Sequence, residues 1–256
     1  MLISEKPEML FQTELLIRSV KKFSQNRISH FSIVVNGEQD TSSIVYPSLT
    51  RGTIRNKYIA ANAEIWRSPY YWEIPIPHRW FIEPKSDTCV FIDADVIACG
   101  DLEPLYNLDK NVFHGVPAYK NHLSEKDWAD LDVRETSNYF NMGMLVVPSK
   151  YLRVIGEAMM NIMDDVLRNY HEHYYFAGQI AVTKALHDLQ IEVNHLPSQF
   201  NWYDLNFPQN LDNILFLHYI SNKNQVLNSN IDRSKNEYLD IIGRTVIDVF
   251  NRKLFL

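Results

Sequence analysis

An α/β fold around a mostly parallel sheet is what this sequence predicts, and three features of it carry the prediction. Cys89-Val90-Phe91-Ile92 is a continuous apolar run of β formers that ends at Asp93, the pattern of an interior strand in a parallel sheet covered on both faces. Amphipathic stretches with apolar residues at helical spacing alternate along the chain with short β-rich runs, as α/β architectures require. At 256 residues and 46% hydrophobic content the chain can bury one substantial core, so a single domain over residues 1–256 with helices on both faces of its sheet is expected.

Pro7 to Phe23 is predicted as the first helix, with Leu10, Leu15, Leu16, Ile17, Val20 and Phe23 as its apolar stripe and Arg18, Lys21 and Lys22 on the wet side. A nucleotide-binding β-α-β unit needs a strand before this helix. Only Met1 to Ser4 is left for it, so either that strand is very short or the chain is a piece of a longer one. Phe31 to Val35 is the next strand, closed by the turn signal Asn36-Gly37. Arg51 to Trp66 is expected to be a second helix that buries Ile54, Tyr58, Ile59, Ala61, Ile65 and Trp66. Ser68 to Lys85, with four prolines, is an irregular approach to the central strand whose aromatics serve packing.

Beyond the central strand, Val112 to Tyr119 is a strand and turn, and the polar run Asn121 to Asn138 is expected to be a flexible loop. Tyr139 to Pro148 is a strand. Tyr151 to Asn169 is a helix with Leu152, Ile155, Met159, Ile162, Met163, Val166 and Leu167 at helical spacing, which leaves Asp164-Asp165 on a solvated face. His171-Glu172-His173 lacks a third ligand nearby and is taken as surface loop. Phe176 to Leu189 is a helix, Ile191 to Leu196 a late strand, Ile214 to Tyr219 the last strong strand signal, and Asn236 to Phe250 an amphipathic closing helix.

The net charge of −6 and the lack of a basic run exclude a nucleic-acid backbone as the expected partner. No apolar stretch approaches the roughly 18 to 20 residues of a transmembrane helix, and no signal-peptide layout opens the chain, so a cytoplasmic protein is expected. Cys89 and Cys99 lie too far apart along an extended strand to bridge and are expected to be reduced core residues.

The chemistry gathers at Asp93-Ala94-Asp95. In an open α/β sheet ligands bind at the carboxyl ends of strands. If the backbone stays extended there, side chains two apart share a face, with small Ala94 leaving room between them. Two hard oxygen ligands on one side suit Mg²⁺ or Mn²⁺ and leave coordination positions open for phosphates. At the exit of a second apolar strand, His218 is placed as Asp93 is, and imidazole is acceptable to Mn²⁺ though less natural for Mg²⁺.

The run from Val90 to Leu105, an apolar strand, Asp-x-Asp and then Gly100-Asp101-Leu102-Glu103-Pro104-Leu105, resembles the Asp-x-Asp region of GT-A glycosyltransferases, and family 8 in particular. Phe140-Asn141-Met142-Gly143 is similar to that family's Phe-Asn-x-Gly segment, and Arg79 to Pro84 to the arginine-led segment before its Asp-x-Asp strand. The resemblance implies a GT-A fold, which is Rossmann-like, and transfer of a sugar from a nucleotide-sugar donor, a UDP- or GDP-sugar, to a hydroxyl of a glycan or other acceptor. It implies Asp93, Asp95 and His218 as metal ligands, Mn²⁺ or Mg²⁺ as the ion, and Arg79, Ala94, Asn141, Gly143, Gln179 and Lys223 as donor contacts, with Gln179 the candidate for a catalytic role.

Residue chemistry agrees at several of these positions. A guanidinium at Arg79 forks well onto phosphate, Asn141 offers both a donor and an acceptor, and Gly143 lets backbone approach a ligand. The sequence departs from the family at Gly178-Gln179, where Asp-Gln is usual, and at Ser221-Asn222-Lys223, where Gly and Lys usually follow the histidine. A phosphatase of the haloacid dehalogenase type also begins from an apolar strand and Asp-x-Asp, but Val96-Ile97 stands where that class carries Gly then Thr or Val. A non-catalytic sugar-nucleotide-binding relative would retain the same metal residues. Asp127, Asp130, Asp132 and Asp204 are the carboxylates left as candidate bases, and nothing in the sequence chooses among them.

Overall fold

The computed structural model describes residues 2–3, 7–24, 28, 31–36, 49–54, 80–170, 176–203 and 213–218. Among them the strands are β1 (Leu2–Ile3), β2 (Phe31–Asn36), β3 (Leu49–Ile54), β4 (Thr88–Ile92), β5 (Val96–Ala98), β6 (Phe113–Pro117), β7 (Phe140–Pro148), β8 (Val193–His195) and β9 (Phe216–His218). The helices are α1 (Pro7–Phe23), α2 (Glu103–Tyr106), α3 (Glu125–Asp130), α4 (Leu152–Asn169) and α5 (Ala177–Asp188).

The N-terminal strands form a parallel sheet in the order β1-β2-β3, with Leu2 beside Val34 and Phe31 beside Leu49. The strand needed ahead of α1 is therefore present and two residues long. Residues 51–54 belong to β3, not to the start of the helix expected over Arg51–Trp66. The β-branched residues Thr50, Thr53 and Ile54 suit that parallel ladder. The remainder of that expected helix lies outside the described residues, as do His171-Glu172-His173 and the closing helix.

Four further strands lie in the order β4-β7-β6-β8, with β7 antiparallel to both neighbours and β6 parallel to β8, so the architecture is mixed α/β. Among the described residues β4 pairs with β7 alone, and antiparallel, with Ile92 beside Met144. The apolar run of β4 thus reflects packing beneath one covered face, where Phe91 is buried, while Val90 on the other face is exposed.

All nine residues of β7 are buried, and its alternating side chains feed two clusters. Leu145 and Val147 join α4 and α5 through Ile155, Met159, Val166, Ile180 and Ala181, whereas Met144 and Val146 join α1, β5 and β9 through Leu16, Val20, Val96 and Phe216. Helices therefore cover both faces of this strand. Met159 and Met163 fill the first cluster, as their helical spacing predicts. Trp80 packs its ring 4.7 Å from Phe91, which bears out the packing role for this aromatic.

Asn121 to Asn138 is not a structureless loop. Ser124 caps α3 in a reciprocal box, its hydroxyl accepting from the Asp127 N–H and the Asp127 carboxylate accepting from the Ser124 N–H. Leu123, Trp128, Leu131 and Val133 are buried in the larger cluster, and the Trp128 indole N–H donates to Asn121 Oδ1 at 2.7 Å. Four anchors spaced irregularly among charges gave no periodic signal.

Cys89 and Cys99 are free thiols. Burial pushes both up from the ordinary thiol value, Cys99 to about 12.

Candidate metal centre

β4 ends at Ile92, and the backbone then turns instead of running on extended. The Asp93 N–H donates to the Gly143 carbonyl at 3.0 Å, and the Val96 N–H closes the turn onto the Asp93 carbonyl at 3.2 Å. An extended Asp-x-Asp is thereby corrected: the two carboxylates converge around buried Ala94 at the apex of a turn.

β9 supplies the third group. It pairs antiparallel with β5 in a register that sets His218 opposite Val96, next to Asp95 in the chain. Ligand atoms of Asp93, Asp95 and His218 all lie within 4.8 Å of one another, a span one cation can bridge when each ligand sits about 2.0–2.6 Å from it. Asp95 and His218 are buried, at 8% and 4% exposure, and Asp93 is half-buried.

The protonation of the imidazole is fixed from behind. Asn141 Oδ1 accepts from the Gly143 N–H at 2.9 Å, an unambiguous backbone donor that identifies which atom of the amide is oxygen. The same oxygen lies 2.9 Å from His218 Nδ1 and accepts from Asn201 Nδ2 at 2.8 Å. Because Oδ1 only accepts, Nδ1 carries the proton. In the neutral ring, Nε2 then turns a lone pair toward the carboxylates. Nε2 is buried, has no hydrogen-bond partner, and stands 3.2 Å from Asp95 Oδ1. Two lone pairs this close are relieved either by a second proton on the ring, which pairs it with Asp95, or by a metal ion, and the buried nitrogen and two hard oxygens fit a divalent ion.

Gly143 is required by this packing. A Cβ there would lie 2.1 Å from His218 Nδ1, so what approaches the Gly143 backbone is the imidazole itself. Asn141 likewise commits its oxygen internally and leaves only its NH₂ for a ligand. Gln179 is buried and donates to the Tyr139 hydroxyl at 2.9 Å, which also lies 3.0 Å from His122 Nδ1. Tyr139 stands two residues before Asn141, so Gln179 is tied to the opening of the same strand. Arg79 and Lys223 lie outside the described residues, as does Asp204.

The second half of the Val90–Leu105 motif is packing. Gly100 lies under the Ile214 carbonyl, which a Cβ would meet at 2.9 Å. Leu102 is fully buried and donates its N–H to Phe23 at 3.3 Å, while Asp101 accepts the Glu103 N–H. Asp127 is spent on its cap, and Asp130 and Asp132 are exposed. The segment Pro197 to Trp202, which the family resemblance puts beside the site, brings Asn201 to the centre, and Tyr203, not singled out from sequence, sets its ring 6.5 Å from that of His218. Only their pairing with β9 brings them there, through Trp202 N–H to Phe216 O at 2.9 Å and His218 N–H to Trp202 O at 2.7 Å.

Solved structures share this architecture. The LgtC galactosyltransferase, in complex with donor and acceptor sugar analogues, matches with a TM-score of 0.63 at 14% identity, over 96% of this chain and 95% of its own. The bifunctional glycosyltransferase WbbM in its apo form matches at 0.61 and 18% identity over 98% of this chain, which spans about half (51%) of the WbbM chain. GlyE of Streptococcus pneumoniae TIGR4 matches at 0.59 and 16%, covering 98% of this chain and 62% of that one. No curated protein matches the sequence. The family profile for glycosyl transferase family 8 matches residues 6–224, which sets aside a haloacid dehalogenase phosphatase. With a GT-A-like fold around an Asp-Asp-His cluster, the chain belongs to glycosyl transferase family 8 and is a glycosyltransferase.

Proposed function

We propose that this glycosyltransferase moves a sugar from a nucleotide-sugar donor to a hydroxyl of a glycan or other acceptor, and that Asp93, Asp95 and His218 hold the divalent cation on which the donor's diphosphate rests. The observation that carries the reading is the buried His218 Nε2, without a hydrogen-bond partner, facing two carboxylates within a single cation's span. Family membership and the donor and acceptor analogues bound to LgtC support it. Mn²⁺ suits a mixed oxygen and imidazole donor set better than Ca²⁺. When bound, the cation supplies positive charge against the nucleoside diphosphate that leaves as the glycosidic bond breaks.

The chain's own residues then orient the sugar. The Asn141 NH₂ is the donor left over once its oxygen is committed, and it is the group offered to a sugar hydroxyl. The Gln179 amide, anchored through Tyr139, is the second polar group offered to the donor sugar. Ala94 keeps the turn narrow beside the diphosphate, and Arg79 and Lys223 are proposed to meet its phosphates.

The test is hydrolysis of UDP-, GDP- and dTDP-sugars by the full chain with Mn²⁺, since slow donor hydrolysis needs no known acceptor. Turnover should vanish on chelation and return with Mn²⁺ more fully than with Ca²⁺. His218→Ala should weaken Mn²⁺ and nucleoside diphosphate binding together, for the metal by at least the roughly 10- to 100-fold that losing an outer-shell partner costs. Undiminished turnover after exhaustive chelation would refute the reading.

A further inference from the structure

We propose that Asn201 is a positioning residue for the metal ligand: through Asn141 it locks the His218 imidazole as the Nδ1–H tautomer with Nε2 aimed at the Asp93 and Asp95 carboxylates. This rests on the proposed metal role of His218. Three donors converge on Asn141 Oδ1, from Gly143, Asn201 and His218. The backbone donor fixes the amide's orientation, and Asn201 Nδ2, fully buried, closes the other side of the oxygen.

The alternative orientation of Asn201 is closed off. Turning its amide over would bring Asn201 Oδ1 against Asn141 Oδ1, two acceptors at 2.8 Å. The orientation adopted leaves Asn201 Oδ1 buried and without a partner among the described residues. Asn201 is therefore held in place by what it does for Asn141, at the expense of its own oxygen. Its backbone runs in the segment that clamps β9, with Leu215 N–H donating to Gln199 O at 2.8 Å and His218 N–H to Trp202 O at 2.7 Å. Side chain and backbone of one short segment thus fix the same imidazole.

The first measurement needs no variant. With the wild-type ring brought to its neutral form in alkaline buffer, nitrogen-15 NMR of the metal-free full chain reads which nitrogen carries the single proton. Nδ1 is expected, and a proton on Nε2 overturns the proposal. The second measurement is Mn²⁺ affinity in the absence of nucleotide. Asn201→Ala should weaken it about tenfold or more. Asn141→Asp, whose carboxylate accepts the same three donors, should stay within about threefold of wild type, while Asn141→Leu, which accepts none, should lose at least about tenfold. A wild-type chain that binds no Mn²⁺ overturns this proposal and the metal-dependent function together. Binding that is lost in Asp95→Ala but undiminished in Asn201→Ala overturns the positioning role alone.

Discussion

Gly143 has no side chain because the His218 ring fills the place one would take. Gly143→Ala should therefore displace the ring and lower Mn²⁺ affinity about 10- to 100-fold, read by calorimetric titration of the full chain. Cys99 offers a second test at this scale. Its folded thiol is raised from 9.0 to about 12 by burial, so little thiolate is present near neutral pH, and iodoacetamide should label it far more slowly than a free thiol until the pH nears that value. The folded chain then holds this proton more tightly than the unfolded chain between those two values, so stability should fall as pH rises across that window. Cys99→Ser should flatten the slope in denaturant titrations. The proposed metal residues were picked out chiefly by the family resemblance: Asp-x-Asp alone reads equally as a capped turn, and His218 alone as a buried, hydrogen-bonded imidazole. Asn141 was only half legible: its residue type advertises a ligand contact, but nothing in a sequence reveals that its oxygen turns inward.

Elements were legible where periodicity was long. α1 and α4 follow their stripes, and β7 and β9 their apolar runs. Tertiary context decided the rest. Residues 51–54 joined a parallel ladder, and α3 is a short helix pinned by Trp128 within a run of charges. Ser124→Ala should remove the cap from α3 and cost about 1 kcal/mol, a drop of about 2–4 °C in Tm for a chain of this size. Mn²⁺ affinity should be unchanged, because the cap makes no contact with the metal residues. Trp128→Ala empties a fully buried site in the larger cluster and should cost about 3–5 kcal/mol. β7 also carries an irregularity that no pattern announced: two steps along β6, from Gly115 to Pro117, correspond to five along β7, from Leu145 back to Phe140. The extra residues include Asn141 and Gly143, and the Asn141 side chain accepts the Gly143 N–H within that stretch.

For the molecule as a whole, the proposed metal site and the fold draw on the same pairings. A cation that binds only the folded chain should stabilise it by about 2.7 kcal/mol at a hundred times its dissociation constant, visible as a rise in Tm on adding Mn²⁺. His218→Ala should abolish that rise. Overall architecture was readable from the alternation of helical and strand patterns, whereas the contribution of Asn201 depends on distant backbone pairing.

The β5–β9 register has a consequence for the order of assembly. Asp93 and Asp95 are neighbours in the chain, but His218 lies more than a hundred residues further on and reaches them only when β9 pairs with β5. A chain emerging from the ribosome therefore carries two of the three proposed ligands early and receives the third only when β9 closes onto β5. In stopped-flow refolding, Mn²⁺ uptake should coincide with the phase in which β9 becomes protected, so that cation capture timestamps the closure of β9 onto β5.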